Sequence, residues 1–278
     1  MITIKAPAKI NFTFEVVGKR NDGYHEIVSV LQTIDLYDTL YVEKGRGFTY
    51  ECALPGWSAE KSLISKVIDL LPSKMGGGVK VKIEKNIPMM AGLGGDSSDA
   101  AALLKGINKL YELNTSDDNL QKMASKLGSD VGFFLKGGTA LAEGRGEIIK
   151  PLPLVKKLWV VLLFPEIEVE AGKTAKMYGA LKPSSYSDGK TTMHLVEAIR
   201  GGKITTPGML CNAFEDIAVE MYPDIAYYIR GCIRQGISIH LAGAGPTLFA
   251  IFPDEGGAKN FYNICREHNA RAYIATTI

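Results

Sequence analysis

The chain has 278 residues, of which 46% are hydrophobic and 22% are charged, as is usual for a globular protein. Its 32 lysines and arginines nearly balance 30 acidic residues, and the resulting net charge of +2 argues against a dedicated nucleic-acid-binding protein. A chain of this length forms one large domain or two modest ones, and it needs neither disulfides nor metals to fold. The 30 glycines are an excess over the usual share of about 7%, and they are clustered.

The cysteines and the apolar segments indicate where the protein works. Its four cysteines form no CxxC pair, so a zinc site is not expected, and scattered free thiols are typical of the reducing cytoplasm. The first residues lack the apolar core of a signal peptide. The longest uncharged run, 237–253, is interrupted by glycine and proline and is shorter than the ~20 apolar residues of a membrane span. We therefore expect a cytoplasmic protein without a membrane span.

The first part of the chain predicts strands followed by helices. Short β-rich runs are bounded by turn residues, and Val and Ile alternate with charged residues in the last of them. These strands are predicted at 2–4, 10–17, 38–42 and 79–83. A helix is predicted at 60–71 and is expected to end at Pro72. Apolar residues from 103 to 111 recur on one helical face, and a second helix is predicted between Ser116, as its N-cap, and Gly128.

The second part of the chain mixes strands with amphipathic helices. A segment with two prolines and no periodicity places a domain boundary at residue 150, which divides the chain into domains 1–150 and 151–278. Beyond it, strands are predicted at 158–164, 237–241, 247–252 and 270–276, and helices at 173–181, 192–200, 212–220, 224–235 and 257–268. This mixture predicts an α+β sandwich, with an antiparallel sheet and helices on one face.

The most specific local feature is a glycine-rich loop directly before a helix. Gly92, Gly94 and Gly95 allow tight turns and close approach of backbone to a ligand, and the helix N-terminus offers unpaired N–H groups to an anion. Ser97 and Ser98 add hydroxyl groups that can contact a phosphate or a metal. The alternative is an ordinary loop with a serine N-cap. Three glycines and two serines favour an anion-binding loop.

The common nucleotide-binding motifs do not match this sequence. The Gly-Lys-Thr triplets that begin at Gly172 and Gly189 lack the earlier glycine of a P-loop, because Ile167 and Ser184 stand there. The dinucleotide-binding pattern GxGxxG fails as well, because Ser97 occupies the place of its third glycine. The anion-binding loop is therefore of another kind.

A second glycine cluster, with Gly243 and Gly245, lies between two apolar strands. It is interpreted either as a tight hairpin turn or as backbone pressed against a ligand or against the first glycine loop.

Several polar residues stand in unusual surroundings. If their segment is a strand, Lys5, Lys9 and Asn11 share one face, which is either solvated or functional. Asp130 precedes an apolar run and is either a helix N-cap or a functional carboxylate. His25 follows a turn and is either a ligand contact or a surface residue.

Together these motifs resemble those of the GHMP kinases and, within them, of the 4-diphosphocytidyl-2-C-methyl-D-erythritol kinases. The resemblance extends over most of the chain, and the motifs occur in the family's order. The matching segments are KAPAKIN (5–11), GKRNDGYH (18–25), PMMAGLGGDSS (88–98), SDVGFF (129–134) and AGAGPTLF (242–249).

The resemblance implies a two-domain α+β fold with the active site in a cleft. The N-terminal domain would be of the ribosomal-protein-S5-like type, and the C-terminal domain a ferredoxin-like α/β sandwich. The implied reaction transfers the γ-phosphate of ATP, with Mg²⁺, to the 2-hydroxyl of 4-diphosphocytidyl-2-C-methyl-D-erythritol, a step of the non-mevalonate route to isoprenoid precursors. The implied partners are these two small molecules, and neither nucleic acid nor membrane is expected.

The resemblance also implies roles for individual residues. Asp130 matches the catalytic carboxylate and Lys9 its partner lysine, which agrees with the need for a base and a cation in phosphoryl transfer to a hydroxyl. The ATP loop would comprise Pro88, Met89, Met90, Ala91, Gly92, Leu93, Gly94, Gly95, Asp96, Ser97 and Ser98. Ser98 is also the candidate contact for the metal ion. The implied substrate contacts are Asn11, Tyr24, His25, Thr174, Tyr178, Gly243 and Gly245. Of these, Tyr24 and His25 match the cytosine-recognition residues, and Tyr178 matches an aromatic that stacks on the base. Because Thr174 and Tyr178 are one helical turn apart, an ordinary helix face is the alternative for them.

Three positions depart from the family's pattern. Asp96 stands where the loop usually has a third glycine, which predicts a carboxylate that points outward or interacts through metal or solvent. Gly132 replaces a proline and is expected to loosen the turn that holds Asp130. Ser62 stands where an asparagine is common, near the expected adenine side.

Two other functions fit parts of the sequence. One is a GHMP kinase that acts on a different alcohol, and the other is a nucleotide-sensing or structural protein without catalysis. The presence of both Lys9 and Asp130 counts against the second.

Overall fold

The computed structural model describes residues 1–71, 77–203 and 207–278, and these form two compact units. The first unit comprises Met1–Ala8, Leu36–Met89 and Gly94–Gly137, and the second comprises Lys9–Asp35, Met90–Leu93 and Gly138–Ile278. Two long strands, β1 (Ile2–Lys19) and β2 (His25–Gly45), contribute residues to both units. The predicted boundary at residue 150 stays a prediction.

In the first unit, the second half of β2 pairs with a strand that alternates as predicted. Strand β4 (Gly78–Glu84) runs antiparallel to β2, and its valines and isoleucine are buried while its lysines are exposed. Strand β3 (Thr49–Cys52) pairs in parallel with β4. The helices of this unit are α1 (Leu63–Lys66), α2 (Gly95–Leu110), α3 (Asp117–Leu127) and α4 (Val131–Lys136). Helix α2 packs against the other three.

Helix α3 begins and ends where the sequence predicts. The Ser116 hydroxyl accepts a hydrogen bond from the Asn119 amide, as an N-cap does. Gly128 follows the last helical residue, and the buried face carries Leu120, Ala124 and Leu127.

The single helix predicted at 60–71 is wrong. The segment forms two 3₁₀ turns, Ala59–Lys61 and Ile68–Leu70, with the four-residue helix α1 between them. Ser62 has an extended backbone with ψ of 151°, and its hydroxyl accepts from the Ile64 amide, so it ends one turn and caps the next. Pro72, the predicted end of the helix, lies outside the described residues.

The second unit contains strands that extend β1 and β2 and a separate antiparallel sheet. Strand β5 (Thr139–Gly144) pairs with the first half of β2, β6 (Ile148–Pro151) pairs with β5, and β8 (Cys211–Asn212) pairs in parallel with β1. The separate sheet has the order β11–β7–β10–β9, formed by β11 (Ala272–Thr276), β7 (Trp159–Leu163), β10 (Leu248–Phe252) and β9 (His240–Leu241). Its antiparallel pairing confirms the predicted sheet.

The helices of the second unit also follow the sequence closely. They are α5 (Lys173–Ala180), α6 (Lys190–Arg200), α7 (Glu215–Met221), α8 (Pro223–Arg234) and α9 (Glu255–Glu267). The helix predicted from residue 212 begins only at Glu215, because Asn212 pairs in β8 and its side-chain oxygen accepts from the Phe214 amide. The strand predicted at 237–241 is limited to His240–Leu241. Strands β3, β5, β6 and β8 and helix α4 were not predicted, and β1 and β2 are longer than the strands predicted at 2–4, 10–17 and 38–42.

No helix in the described part of the chain combines the length and the apolar character that crossing a bilayer requires. The four cysteines are free thiols, as predicted, and burial raises the pKa of Cys211, Cys232 and Cys265 to about 11.

A buried ion cluster fixes α2 in the first unit. The Lys85 ammonium donates to Asp38 at 2.5 Å and to Asp99 of α2 at 2.7 Å, and all three side chains are at most 4% exposed. Asp38 also accepts from the Asn86 and Ile87 amides at 2.6 and 2.8 Å. Burial raises the pKa of Asp99, since the charged carboxylate has lost its water. One ammonium thus compensates two buried carboxyl groups.

We predict that Lys85→Met strongly destabilises the protein, because both carboxyl groups lose their cation inside the protein. The expected loss in the free energy of unfolding is about 3–5 kcal/mol, measured by urea titration. The matched control is Lys82→Met on the exposed face of β4, where the loss should stay within about 0.5 kcal/mol. Adding Asp99→Asn to Lys85→Met should recover part of the loss. Equal stability of Lys85→Met and Lys82→Met would contradict this assignment.

Candidate functional site

In the second unit, the residues Met90–Leu93 of the glycine-rich loop lie against the turn between β9 and β10. The turn is a tight hairpin, closed by the Ala242 amide donating to the Thr247 carbonyl at 2.9 Å. The Gly245 amide donates to the Ala242 carbonyl at 2.8 Å, and the Thr247 amide reaches the Ala91 carbonyl at 3.4 Å. Both interpretations of the second glycine cluster are therefore correct, since the hairpin turn also packs on the first loop.

Glycine is required where these two backbones meet. Gly92 has φ of +82°, and a Cβ atom there would lie 2.0 Å from the Ala242 carbonyl oxygen. Gly243 has φ of +55°, and its Cβ would lie 2.8 Å from the Gly92 oxygen and 3.0 Å from Lys9 Nζ. A Cβ atom cannot lie so close to a backbone oxygen, so only glycine fits at these two positions. Gly92 and Gly243 thus allow backbone-to-backbone contact beside a lysine.

Lys9 is buried and directed by a chain of polar groups. Its ammonium donates to Asn11 Oδ1 at 2.7 Å, and Asn11 Nδ2 donates to Ser29 Oγ at 2.9 Å. Because an ammonium can only donate, it fixes which way the Asn11 amide points. The Ser29 hydroxyl in turn donates to the Thr13 carbonyl at 2.5 Å. A solvated strand face is therefore excluded for Lys9 and Asn11, whereas Lys5 is exposed as that interpretation expects.

Lys173 is a second buried cation, which the sequence analysis did not select. It is the first residue of α5, and its ammonium donates to the Met90 carbonyl at 2.9 Å and to the Gly245 carbonyl. Burial, assisted by repulsion from Lys9, lowers the pKa of Lys173 to about 8. The available signal was the triplet at Gly172, which was set aside because it does not complete a P-loop.

Asn212 is another residue that the sequence analysis missed. Its Nδ2 donates to the Leu241 and Gly243 carbonyls, both at 2.8 Å, so it supports the hairpin from the opposite strand, β8. Asn212 was predicted to begin a helix, and nothing in the neighbouring sequence indicated that it would contact the hairpin.

An aromatic group brings two of the predicted base-recognition residues together. The His25 ring stacks on the Tyr178 ring with centroids 5.0 Å apart and planes at 20°, and Tyr186 meets His25 edge-on at 6.0 Å. A separation of 5.0 Å leaves no space for another ring between His25 and Tyr178. Burial, followed by the nearby charge of Lys19, lowers the pKa of His25, so its imidazole is neutral at neutral pH.

The other predicted base-recognition residues lie at the surface. Tyr24 is exposed, and the Arg145 guanidinium lies 4.7 Å from the centroid of its ring. Thr174 is exposed on α5, one turn before Tyr178.

In the first unit, α2 begins directly at the glycine-rich loop. Gly94 is its N-cap with φ of +73°, and Gly95 and Asp96 form the first turn. Ser98 is 1% exposed, and its Oγ has no hydrogen-bond partner among the described residues. A buried hydroxyl without a partner is costly, which is expected where a ligand completes the site. Pro88 and Met89 precede the loop in this unit, and Met89 is exposed.

Two departures from the family's pattern, Asp96 and Ser62, are hydrogen-bonded to each other. The Asp96 carboxylate accepts a hydrogen bond from the Ser62 hydroxyl and another from the Leu63 amide at 2.9 Å. Asp96 is exposed, as the prediction of an outward-pointing carboxylate requires, and the start of α1 supplies two of its hydrogen-bond donors. Its charge also lies in the first turn of α2, where the helix dipole favours an anion.

Asp130 stands immediately before α4, and its side chain makes no capping hydrogen bond. The N-cap interpretation therefore does not account for its carboxylate.

Gly132 is buried in the first turn of α4, where a Cβ would lie 2.2 Å from Gln121 Nε2. The missing proline thus leaves space for the Gln121 amide.

The donor set for a metal ion is limited. No group of three His, Cys, Asp or Glu side chains suited to a metal occurs within the described residues. Mg²⁺ is commonly held by one or two protein oxygens together with nucleotide phosphates and water. The unpartnered Ser98 hydroxyl fits a metal ion that arrives with a nucleotide, and the part of the chain that the structure describes shows no dedicated cage for one.

Comparisons with known proteins agree with the resemblance. The family described as "GHMP kinases N terminal domain" matches residues 62–138, and "GHMP kinases C terminal" matches residues 195–271. A curated relative from Dehalococcoides mccartyi, named 4-diphosphocytidyl-2-C-methyl-D-erythritol kinase, is 44% identical over 100% of this chain and 99% of its own length.

Solved structures have the same fold. A crystal structure of 4-(cytidine 5'-diphospho)-2C-methyl-D-erythritol kinase superposes with a TM-score of 0.83 at 31% identity, covering 99% of both chains. Mevalonate kinase from L. major reaches a TM-score of 0.75 over 100% of this chain and 96% of its own, at 18% identity, and shows the fold alone. The predicted two-domain GHMP kinase fold is confirmed. The chain belongs to the 4-diphosphocytidyl-2-C-methyl-D-erythritol kinase family of GHMP kinases.

Proposed function

We infer that this chain transfers the γ-phosphate of ATP to the 2-hydroxyl of 4-diphosphocytidyl-2-C-methyl-D-erythritol and releases ADP. The observation that carries this function is the 44% identity, over 100% of this chain and 99% of the relative, to a protein named as that kinase. The reaction would be a step of the non-mevalonate route to isoprenoid precursors. The four free cysteines suit the cytoplasm, where we place it.

The glycine-rich loop and α2 are the proposed triphosphate site. The N-terminus of a sixteen-residue helix offers unpaired amides and a positive dipole end to phosphate oxygens. Glycines at the turn allow the backbone to approach the phosphates closely. Asp96 keeps a carboxylate in the first turn of α2, and Ser62 and Leu63 hold that carboxylate at the start of α1. Mg²⁺, bound with the nucleotide and contacted by Ser98 Oγ, would neutralise charge on the phosphates.

We assign the chemical step to Asp130 and Lys9. The substrate hydroxyl oxygen forms a bond to the γ-phosphorus, the bond from that phosphorus to the β–γ bridging oxygen breaks, and ADP leaves. Asp130 takes the hydroxyl proton, because an alcohol is a weak nucleophile at neutral pH. The Lys9 ammonium, directed by Asn11, stabilises the negative charge on the transferred group. Asn11 Nδ2 carries a second hydrogen that can contact the substrate.

We assign recognition of the cytosine base to the aromatic group. The neutral His25 imidazole offers one donor and one acceptor to the base edge, and Tyr178 offers a stacking surface. Because the two rings contact each other, the base packs beside this pair or separates them. Tyr24 would close over the base from the exposed side, and Thr174 would add a hydroxyl contact. Gly243 and Gly245 would admit the substrate close to backbone.

The acceptor specificity tests the function directly. We expect ADP formation from ATP with the cytidylyl methylerythritol substrate and little with mevalonate or homoserine, which lack the base that the aromatic group binds. A site built around buried hydrogen bonds rejects ligands that leave them unmade by about 10⁴-fold or more. Comparable kcat/KM with mevalonate or homoserine would instead favour a kinase of another alcohol. A chain that binds ATP without turnover of any of them would favour a nucleotide sensor.

Removing the proposed base should abolish the chemical step while nucleotide binding survives. For Asp130→Asn we expect kcat to fall by about 10²–10⁴-fold, the range that general-base catalysis supplies. Binding of a non-hydrolysable ATP analogue, measured by calorimetry, should be unchanged. The matched control is Asp118→Asn on the exposed surface of α3, which should retain full activity. Asp130→Asn with more than about a tenth of the original kcat would contradict the role.

The His25 ring should govern affinity for the cytidylyl substrate. For His25→Ala we expect KM for that substrate to rise about tenfold, as for loss of one stacking contact and one hydrogen bond, with KM for ATP unchanged. The surface variant His194→Ala on α6 serves as the control. An unchanged KM for the cytidylyl substrate would refute the assignment of His25 to the base.

A further inference from the structure

Lys173 has an environment that the proposed chemistry does not use. It is only 6% exposed, and no carboxylate among the residues described in the structure pairs with it. Lysine is rarely buried without a paired acid. Its ammonium instead donates to two backbone carbonyls, those of Met90 and Gly245.

These carbonyls belong to the two backbone segments that meet at Gly92. Met90 opens the stretch Met90–Leu93, and Gly245 lies in the hairpin that packs on it. Hydrogen bonds from a charged donor are stronger than those between neutral groups. Lys173 therefore ties the loop to the hairpin at a point beside their closest approach.

The loop needs such a tie because Met90 has an unfavourable backbone conformation. Its φ is +55°, in the left-handed region that residues with a side chain disfavour, and its side chain is 54% exposed. Packing of the Met90 side chain therefore contributes little to holding this turn. The bond to its carbonyl is a direct restraint on the peptide that follows the strained residue.

We propose that Lys173 is a positioning residue that holds the glycine-rich loop in its nucleotide-binding shape by clamping the Met90 and Gly245 carbonyls. The part of this inference that concerns ATP rests on the proposed function, whereas the clamp itself does not.

The clamp depends on the charge of Lys173. The charged group that faces it among the described residues is Lys9, and this repulsion adds to the effect of burial in lowering the pKa of Lys173 to about 8. The protonated form is therefore lost as the pH rises through about 8, and a neutral amine is a weaker donor with one hydrogen fewer. The clamp should loosen at alkaline pH.

Hydrogen–deuterium exchange of the full chain tests the clamp without reference to activity. For Lys173→Met, a variant of similar length without charge, we expect amides of 90–95 and 242–247 to exchange about tenfold faster at pH 7, as for loss of charge-assisted hydrogen bonds. The matched control is Lys176→Met on the exposed face of the same helix, where the ammonium pairs with Glu170. Helix α9 should exchange equally in all three proteins and thereby report that the fold is intact.

Kinetics test what the clamp does for ATP. For the wild type we expect kcat/KM for ATP to decline above pH 8, as Lys173 loses its charge. We expect Lys173→Met to raise KM for ATP about tenfold with a smaller change in kcat, and to lack this decline. Lys173→Arg keeps its charge at all these pH values, so the decline of kcat/KM should move to a higher pH. A variant that was merely less stable would still show the decline of kcat/KM for ATP at alkaline pH.

The outcomes separate the two proposals. A folded Lys173→Met protein with wild-type exchange in the loop, or with wild-type KM for ATP and pH profile, overturns the positioning role even if the kinase reaction is found. Faster loop exchange in a protein whose wild type shows no kinase activity supports the clamp and refutes the proposed function.

Discussion

The contact between two stretches of bare backbone is the constraint on which the candidate site depends. Gly92 meets the Ala242 carbonyl where a Cβ would stand 2.0 Å away, and Gly243 meets the Gly92 carbonyl in the same manner. Such an approach is possible only without side chains, and it places carbonyl and amide groups beside Lys9. Directional bonds must then hold the two segments, because glycines contribute no side-chain packing. Lys173 joins the two segments from α5, and Asn212 holds the hairpin from β8.

Buried charge is the second theme of the molecule, and it is handled in two ways. In the first unit, Lys85 is compensated by two carboxyl groups, so the cluster is a structural anchor for α2. In the second unit, the partners of Lys173 among the described residues are carbonyl dipoles alone, and burial lowers its pKa. A buried cation with only dipoles around it costs stability, which is a pattern typical of functional sites.

The departures from the family's pattern are easier to understand in pairs. Asp96 places a carboxylate in the first turn of α2, and Ser62 places a hydroxyl at the start of α1. Together they form a hydrogen-bonded unit that joins the start of α1 to the start of α2. Gly132 and Gln121 are similarly matched, since the side chain fills the space that a larger residue would need.

The sequence by itself determined the family, most element positions and the glycine-rich loop, because those signals are local: the capping pair Ser116 and Gly128, alternation in β4, and glycines before α2. It did not reveal the break in the helix predicted at 60–71, since a serine such as Ser62 occurs both inside helices and at their N-caps. Only the tertiary structure decided which polar residues act together. Lys173 and Asn212 lie far along the chain from the loop and hairpin they hold, and long-range hydrogen bonds leave no periodic trace in a sequence.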